Sequence, residues 1–139
     1  MREESASVEQ TRALGARLAK AAAVGDVYAL EGDLGCGKTE FVRGFVEALA
    51  PAAAVRSPTF SIVNTYETPV FPVYHFDFYR LEEQRELFSI GFDEYVNGEG
   101  VCLVEWGTMF PHALPPFTKH IRFSGGLDSV RIVEADFLF

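Results

Sequence analysis

The chain is poor in basic residues. Twelve lysines and arginines stand against 20 aspartates and glutamates among its 139 residues, so the formal net charge is −8 at pH 7. Only three of the basic residues are lysines, namely Lys20, Lys38 and Lys119. A protein that holds a phosphodiester backbone unaided needs clustered lysines and arginines. The composition therefore argues against a chain that binds nucleic acid tightly by itself.

Long apolar runs are also missing, and cysteine is scarce. No segment approaches the roughly 20 consecutive apolar residues that span a bilayer. The acidic first five residues have no apolar stretch of the kind found in secretory signals. The two cysteines, Cys36 and Cys102, suit a reducing compartment better than a disulfide framework. We therefore expect one cytoplasmic domain over residues 1–139, with no membrane segment.

The most informative segment matches the phosphate-binding pattern G-x-x-x-x-G-K-T. An apolar run at 27–30 precedes it, and apolar residues at helical spacing follow over 41–49, which is the strand–loop–helix context that the motif requires. Backbone N–H groups of such a loop and the helix N-terminus attract an anion. The sequence therefore predicts that the chain binds a nucleoside triphosphate through Gly32, Asp33, Leu34, Gly35, Cys36, Gly37, Lys38 and Thr39. Within that set, Lys38 would reach the β- and γ-phosphates and the Thr39 hydroxyl would ligate Mg²⁺.

Hydrolysis also needs an acidic residue near the metal ion. The continuous apolar run at 101–104 is typical of a strand covered on both faces, and it ends in Glu105. This is the Walker B arrangement, which places a carboxylate where ligands bind in a parallel sheet. The alternative is that Glu105 is only the solvated end of a strand. Asp77 follows a more alternating run, and spacing alone leaves its role open. Trp106 could cover the nucleotide or pack in the core.

Two further groups of residues have more than one interpretation. Residues 57–60 (Ser-Pro-Thr-Phe) could form a switch segment that a γ-phosphate orders, or simply the start of a strand. The three histidines, His75, His112 and His120, lack the spacing of metal ligands, so no zinc site is predicted. For the histidines we expect packing or solvent contact.

The pattern along the chain predicts an α/β fold. Ser7 and Gln10 fit a capping box that begins a helix, and the phosphate loop opens a second helix. Further elements are a hairpin of strands at 59–67 and 71–78, a helix at 81–90, a strand at 101–104, and a hairpin of strands at 120–123 and 129–132. We therefore predict a three-layer P-loop NTPase fold, mostly a parallel sheet with antiparallel hairpin additions.

Four segments of the chain form a recognisable set: 32–39, 57–60, the H-x-D-x-Y-R element at 75–80, and the E-W element within 103–106. Together they resemble the TsaE family, the small bacterial ATPases of tRNA N6-threonylcarbamoyladenosine (t6A) biosynthesis. The resemblance runs from about Ser7 to the last strand. It implies an ATP site in which Thr39 and Glu105 ligate Mg²⁺ and Lys38 holds the phosphates. It also implies that Asp77 is essential for hydrolysis, that Trp106 lies beside the nucleotide, and that Thr11 approaches the adenine.

The resemblance also implies partners. Family members do not transfer the threonylcarbamoyl group; they bind the complex of TsaD with TsaB, where ATP hydrolysis supports repeated tRNA modification. The acidic charge of this chain agrees with tRNA being held mainly by the partners. Two positions depart from the family pattern. Glu40 replaces a hydroxyl that can touch the α-phosphate, and Gly107-Thr108 stand where an acid commonly follows.

Other P-loop proteins are the alternatives. A small-molecule kinase would normally carry an arginine-rich lid, whereas only four arginines follow residue 56 and no insertion is long enough for a lid. A regulatory GTPase needs an N-K-x-D base reader, and none of the three lysines lies in one. A nucleotide-gated binding protein with negligible turnover stays open.

Overall fold

The computed structural model describes residues 1–33, 37–58, 61–125 and 130–139. The strands are β1 (Arg2–Ser5), β2 (Val27–Glu31), β3 (Val63–Tyr66), β4 (Val73–Asp77), β5 (Val101–Glu105), β6 (Lys119–Ser124) and β7 (Arg131–Ala135). The helices are α1 (Val8–Ala21), α2 (Lys38–Leu49), α3 (Glu86–Ser89) and α4 (Phe92–Val96), and two short 3₁₀ turns lie at Gly107–Met109 and Pro111–Ala113. Within the described ranges, no helix is long and apolar enough to cross a bilayer.

The seven strands form a single sheet in the order β1-β7-β6-β2-β5-β4-β3. Its four central strands, β6, β2, β5 and β4, are parallel to one another. The flanking pairs β3–β4, β6–β7 and β1–β7 are antiparallel. The predicted parallel sheet with antiparallel hairpin additions is thus confirmed.

Side chains on the two faces of the sheet build two separate cores. In β5, Val101 and Leu103 pack towards α1 and α2, whereas Cys102 and Val104 pack towards α3 and α4. The alternation follows from the strand pleat, which sends successive side chains to opposite faces. The four apolar residues at 101–104 are buried, as the continuous run predicts, and Glu105, which follows them in β5, is buried as well. The molecule therefore has the three layers expected from the sequence.

Helices α1 and α2 approach each other closely through two glycines. A Cβ atom at Gly15 would lie 2.0 Å from the carbonyl oxygen of Phe41, and one at Gly44 would lie 1.9 Å from that of Arg12. Neither position has room for a side chain. This contact brings the first turn of α1 beside the start of α2, where Thr11 lies next to Gly37.

Strand β1 has no counterpart among the elements predicted from the sequence. This strand pairs with β7 at the edge of the sheet, with Arg2 opposite Glu134 and Ser5 opposite Arg131. Its charged residues have low strand propensity, although charges are common on edge strands because they discourage pairing with other chains. Pairing with β7 therefore decides the conformation of this segment.

The helix predicted at 81–90 is wrong over its first half. Only Glu86–Ser89 are helical, because the Glu86 carboxylate accepts hydrogen bonds from the backbone N–H groups of Glu82 (2.8 Å) and Glu83 (2.9 Å) and holds a turn there. The strand predicted at 59–67 is also shorter, since Ile62 has a left-handed φ of 67° and its N–H bonds to Pro58. Residues 59 and 60 of that predicted strand, and residue 129 of the strand predicted at 129–132, lie outside the described ranges.

Candidate nucleotide-binding site

Three neighbouring parallel strands end at the same edge of the sheet. Strand β2 leads into the predicted phosphate loop, β5 ends in Glu105, and β4 ends in Asp77. In the strand register, Leu30 is paired with Glu105, and Glu105 is paired with Asp77. Ligands of parallel α/β proteins bind beyond the carboxyl ends of the strands. The fold therefore brings both predicted acidic residues beside the end of the loop.

A cavity of about 560 Å³ opens at this edge. Eight of the residues proposed from the sequence line it: Thr11, Gly37, Lys38, Thr39, Glu40, Asp77, Glu105 and Trp106. Gly32 and the exposed Asp33 lie at the start of the loop and are not among its described lining residues. Leu34, Gly35 and Cys36 lie outside the described ranges. The structure places the eight residues together, and their roles remain predictions.

Lys38 is the first residue of α2 and is 4% exposed. Its Nζ donates a hydrogen bond to the carbonyl oxygen of Gly32 (2.5 Å) and lies 4.0 Å from the centre of the Trp106 ring. A nearly buried ammonium group requires such acceptors and aromatic faces. Gly37, just before the helix, has a φ of 92°, a left-handed conformation that favours glycine. The ammonium group of Lys38 is thereby held beside Gly32, where the predicted phosphate loop begins.

The two acidic residues have different surroundings. Glu105 is 5% exposed, and its Oε2 lies 2.5 Å from Nε2 of His75. Asp77 is half-buried, and its Oδ1 accepts a hydrogen bond from the backbone N–H of Tyr79 (2.9 Å). Burial raises the pKa of Asp77, and the Glu105 carboxylate adds to the rise, whereas the Tyr79 hydrogen bond, His75 and Lys38 oppose it. Asp77 therefore accepts a proton more readily than an exposed aspartate does.

Two of the three histidines pair with a carboxylate, which the sequence did not predict. His75 is buried as packing requires, but it also contacts Glu105 through a hydrogen bond. His120 is paired through Nδ1 with Glu31 at the end of β2. His112 is exposed, in agreement with the expected solvent contact. Sequence spacing could not reveal these pairs, because the partners are 30 and 89 positions apart.

Glu40 turns towards α1. Its Oε2 accepts a hydrogen bond from Nε of Arg12 (2.7 Å) and lies 3.4 Å from Nε of Arg43. The two guanidinium groups offset the negative charge of this carboxylate. The carboxylate thus joins the start of α2 to α1.

Several residues that line the cavity were not proposed from the sequence as nucleotide contacts. They are Ala6, Ser7, Val8, Ser57, Tyr79, Arg80 and Arg131. Arg131 lies in β7, and its Nε is 3.8 Å from the position of a Cβ built on Gly37. No local pattern marks it, since only the strand order brings β7 to this edge. The hydroxyl of Thr11 is hydrogen-bonded to that of Ser5, with 2.7 Å between the two oxygen atoms, while the methyl group of Thr11 faces Gly37.

The charges of the cavity suit a nucleotide with a divalent cation. Three basic residues, Lys38, Arg80 and Arg131, line it together with Glu40, Asp77 and Glu105. Thr39, Asp77 and Glu105 offer the oxygen ligands that Mg²⁺ prefers. Among the described residues, no group of three or more His, Cys, Asp or Glu could hold a metal ion. The hydroxyl of Thr39 and the carboxylates of Asp77 and Glu105 nevertheless fit Mg²⁺, which commonly uses one or two carboxylates together with substrate phosphates.

Comparison with known proteins gives a consistent result. The family model for "Threonylcarbamoyl adenosine biosynthesis protein TsaE" matches residues 5–132. The tRNA threonylcarbamoyladenosine biosynthesis protein TsaE of Bacillus subtilis is 49% identical over 107 residues, which are 77% of this chain and 66% of that protein. Its namesake from Rickettsia felis is 38% identical, covering 78% of this chain and 63% of the relative. The Treponema pallidum protein of the same name is 37% identical, covering 87% and 89%.

A solved structure agrees with these relatives. The crystal structure of Bacillus subtilis YdiB matches with a TM-score of 0.82 and 38% sequence identity, covering 96% of this chain and 82% of that one. The matches to the Bacillus and Rickettsia relatives span just under two thirds of their length.

Proposed function

This chain belongs to the TsaE family, and from that premise we propose that it is a Mg²⁺-dependent ATP-binding and hydrolysing subunit. It is required for t6A modification of tRNA and does not transfer the threonylcarbamoyl group itself. As a single cytoplasmic domain it acts through the TsaD–TsaB complex, and tRNA is contacted mainly through these partners. The net charge of −8 supports the proposal that the partners, and not this chain, hold most of the tRNA.

One observation supports the ATPase assignment above the others. Lys38 and Thr39 at the start of α2 share a cavity with Glu105 and Asp77, which end two neighbouring parallel strands. Phosphoryl transfer depends mainly on positioning and on electrostatic stabilisation of the phosphate oxygens. A cavity that combines basic, hydroxyl and carboxylate groups at a helix N-terminus supplies both.

Each residue has a proposed role in that cavity. Lys38 and the loop N–H groups hold the phosphates, and Lys38 exchanges its bond to Gly32 for a phosphate oxygen. Thr39 and Glu105 would hold Mg²⁺, which would supply positive charge next to the phosphates. Asp77, with its raised pKa, orients the attacking water and accepts its proton.

The first test replaces Glu105. We expect Glu105→Ala to retain some nucleotide affinity, because the phosphate contacts of Lys38 remain, and to lose about 100-fold or more in turnover, the scale of losing one transition-state group. The measurement is phosphate release from Mg·ATP, with and without the TsaD–TsaB pair. Glu99→Ala is the matched control, since Glu99 is exposed and lies outside the cavity.

Phosphate release, read together with nucleotide binding, separates the alternatives. Release that the partners accelerate in the wild type and that Glu105→Ala abolishes supports the proposal. Nucleotide binding without any release, even with the partners, would instead indicate a nucleotide-gated binding protein. Transfer of phosphate to a small molecule rather than to water would indicate a kinase.

We also expect affinity for the TsaD–TsaB pair to depend on the nucleotide. Ser57 and Tyr79 line the cavity, and the half-exposed Tyr79 ring contacts that of Trp106 (5.0 Å between centroids). A γ-phosphate in the cavity would therefore alter the outer surface as well. Calorimetric titration of the pair with an ATP analogue, ADP or no nucleotide measures this. Equal affinities in all three states would contradict the switch, and the Lys38→Ala variant serves as a nucleotide-insensitive control.

A further inference from the structure

The carboxylate of Glu105 contacts a buried histidine, His75. His75 is 0% exposed and lies in β4 two residues before Asp77, so both side chains are on the same face of the strand. Asp77 is paired with Glu105 in the register, and His75 lies one step deeper, opposite Leu103. The 2.5 Å contact between Nε2 of His75 and Oε2 of Glu105 therefore approaches the carboxylate from within the core.

This contact is the only hydrogen bond that the imidazole makes in the described part of the chain. Its other nitrogen, Nδ1, is buried and has no hydrogen-bond partner there. The surrounding strand residues that share the core are apolar, including Val73 and Leu103. A buried polar ring with one unsatisfied nitrogen costs free energy compared with an apolar side chain of similar size. Packing alone does not explain a histidine at this position.

We propose that His75 is a positioning residue that fixes the orientation of Glu105. A carboxylate that ligates a cation can only accept hydrogen bonds, so Nε2 carries the hydrogen and donates it to Oε2. Oε2 is thereby held in the core, and the other oxygen is left for Mg²⁺ at the cavity. Hydrogen bonds of this kind to a ligating carboxylate set its geometry and tune metal affinity. This inference rests on the proposed function, in which Glu105 holds Mg²⁺.

The test compares nucleotide affinity with and without Mg²⁺, measured by calorimetry on the full chain with an ATP analogue. His75→Leu fills a similar volume but cannot donate a hydrogen bond. We expect it to keep the Mg²⁺-free affinity, which depends on Lys38 and the loop, and to lose about 10-fold or more of the gain that Mg²⁺ provides. A purely structural role would lower both affinities together.

A conservative pair of variants keeps the test independent of folding. His75→Gln places a donor nitrogen near the position of Nε2, whereas His75→Asn places it near that of Nδ1. We expect the glutamine variant to retain most of the Mg²⁺ gain and the asparagine variant to lose it. His120→Leu is the matched control, because it removes the other histidine–carboxylate pair, which lies outside the cavity. It should leave the Mg²⁺ gain unchanged.

A double-mutant cycle with Glu105→Ala tests whether His75 acts through Glu105. If His75 acts through Glu105, His75→Leu has no further effect on the Mg²⁺ gain in the Glu105→Ala background. A wild-type gain that persists in both His75→Leu and His75→Asn would overturn the positioning role alone. No Mg²⁺ gain in the wild type would overturn the proposed function and the inference with it.

Discussion

Replacing Lys38 with alanine is expected to abolish productive binding of Mg·ATP. Lys38 lies almost buried at the start of α2, and its ammonium group donates a hydrogen bond to the carbonyl oxygen of Gly32. Removing a desolvated charge that pairs with phosphate costs about 2–5 kcal/mol, so affinity should fall by about 30-fold or more. Calorimetry with an ATP analogue measures the loss directly. The fluorescence of Trp106, the single tryptophan and a direct contact of Lys38, gives a second signal.

Two comparisons make this result specific. Lys20→Ala removes an exposed lysine from the last turn of α1 and should bind the nucleotide like the wild type. Thr39→Ala should lose mainly the part of the affinity that requires Mg²⁺, because it removes a metal ligand and leaves the ammonium group in place. Wild-type affinity and turnover in Lys38→Ala would show that the assignment of the phosphate loop is wrong.

Gly44→Ala is expected to destabilise the fold more than a single added methyl group normally does. The new Cβ would lie 1.9 Å from the carbonyl oxygen of Arg12, so the backbones of α1 and α2 must separate. Overpacking against side chains costs about 1–3 kcal/mol, and a clash with rigid backbone should reach or exceed the top of that range. The gain in helix propensity, about 1 kcal/mol, is too small to offset it. Thermal and urea unfolding provide the measurement.

The control for this effect lies one turn along the same helix. Ala48→Gly removes one methyl group at an exposed position, so it should cost only the difference in helix propensity, about 1 kcal/mol. Where Gly44→Ala still folds, nucleotide affinity should also fall, because separation of the helices moves Thr11 away from Gly37. An unfolding free energy equal to that of the wild type would contradict the close contact between the helices.

Much of the fold follows from local patterns. The apolar face of α2 is buried largely as its spacing predicts: Phe41, Val42, Phe45 and Val46 are fully buried, and Leu49 is partly buried. Ser7 caps α1 through a hydrogen bond from the backbone N–H of Gln10 (3.1 Å). The Gln10 side chain reaches back to the N–H of Ala6 rather than to Ser7. The errors occur where local preference is weak, in β1 and over residues 81–85, because strand pairing or one carboxylate decides the conformation there.

The sequence by itself determined the phosphate-loop pattern, the acidic ends of β4 and β5, and the class of fold. These features depend on neighbours within a few positions, where periodicity and turn chemistry act directly. Only the tertiary structure decided that His75 contacts Glu105, that Arg131 lies beside Gly37, and that Glu40 turns to Arg12. Each of those contacts joins residues on different elements. Strand order and the close approach of α1 and α2 determine which elements meet, and both result from burying two apolar faces of one sheet.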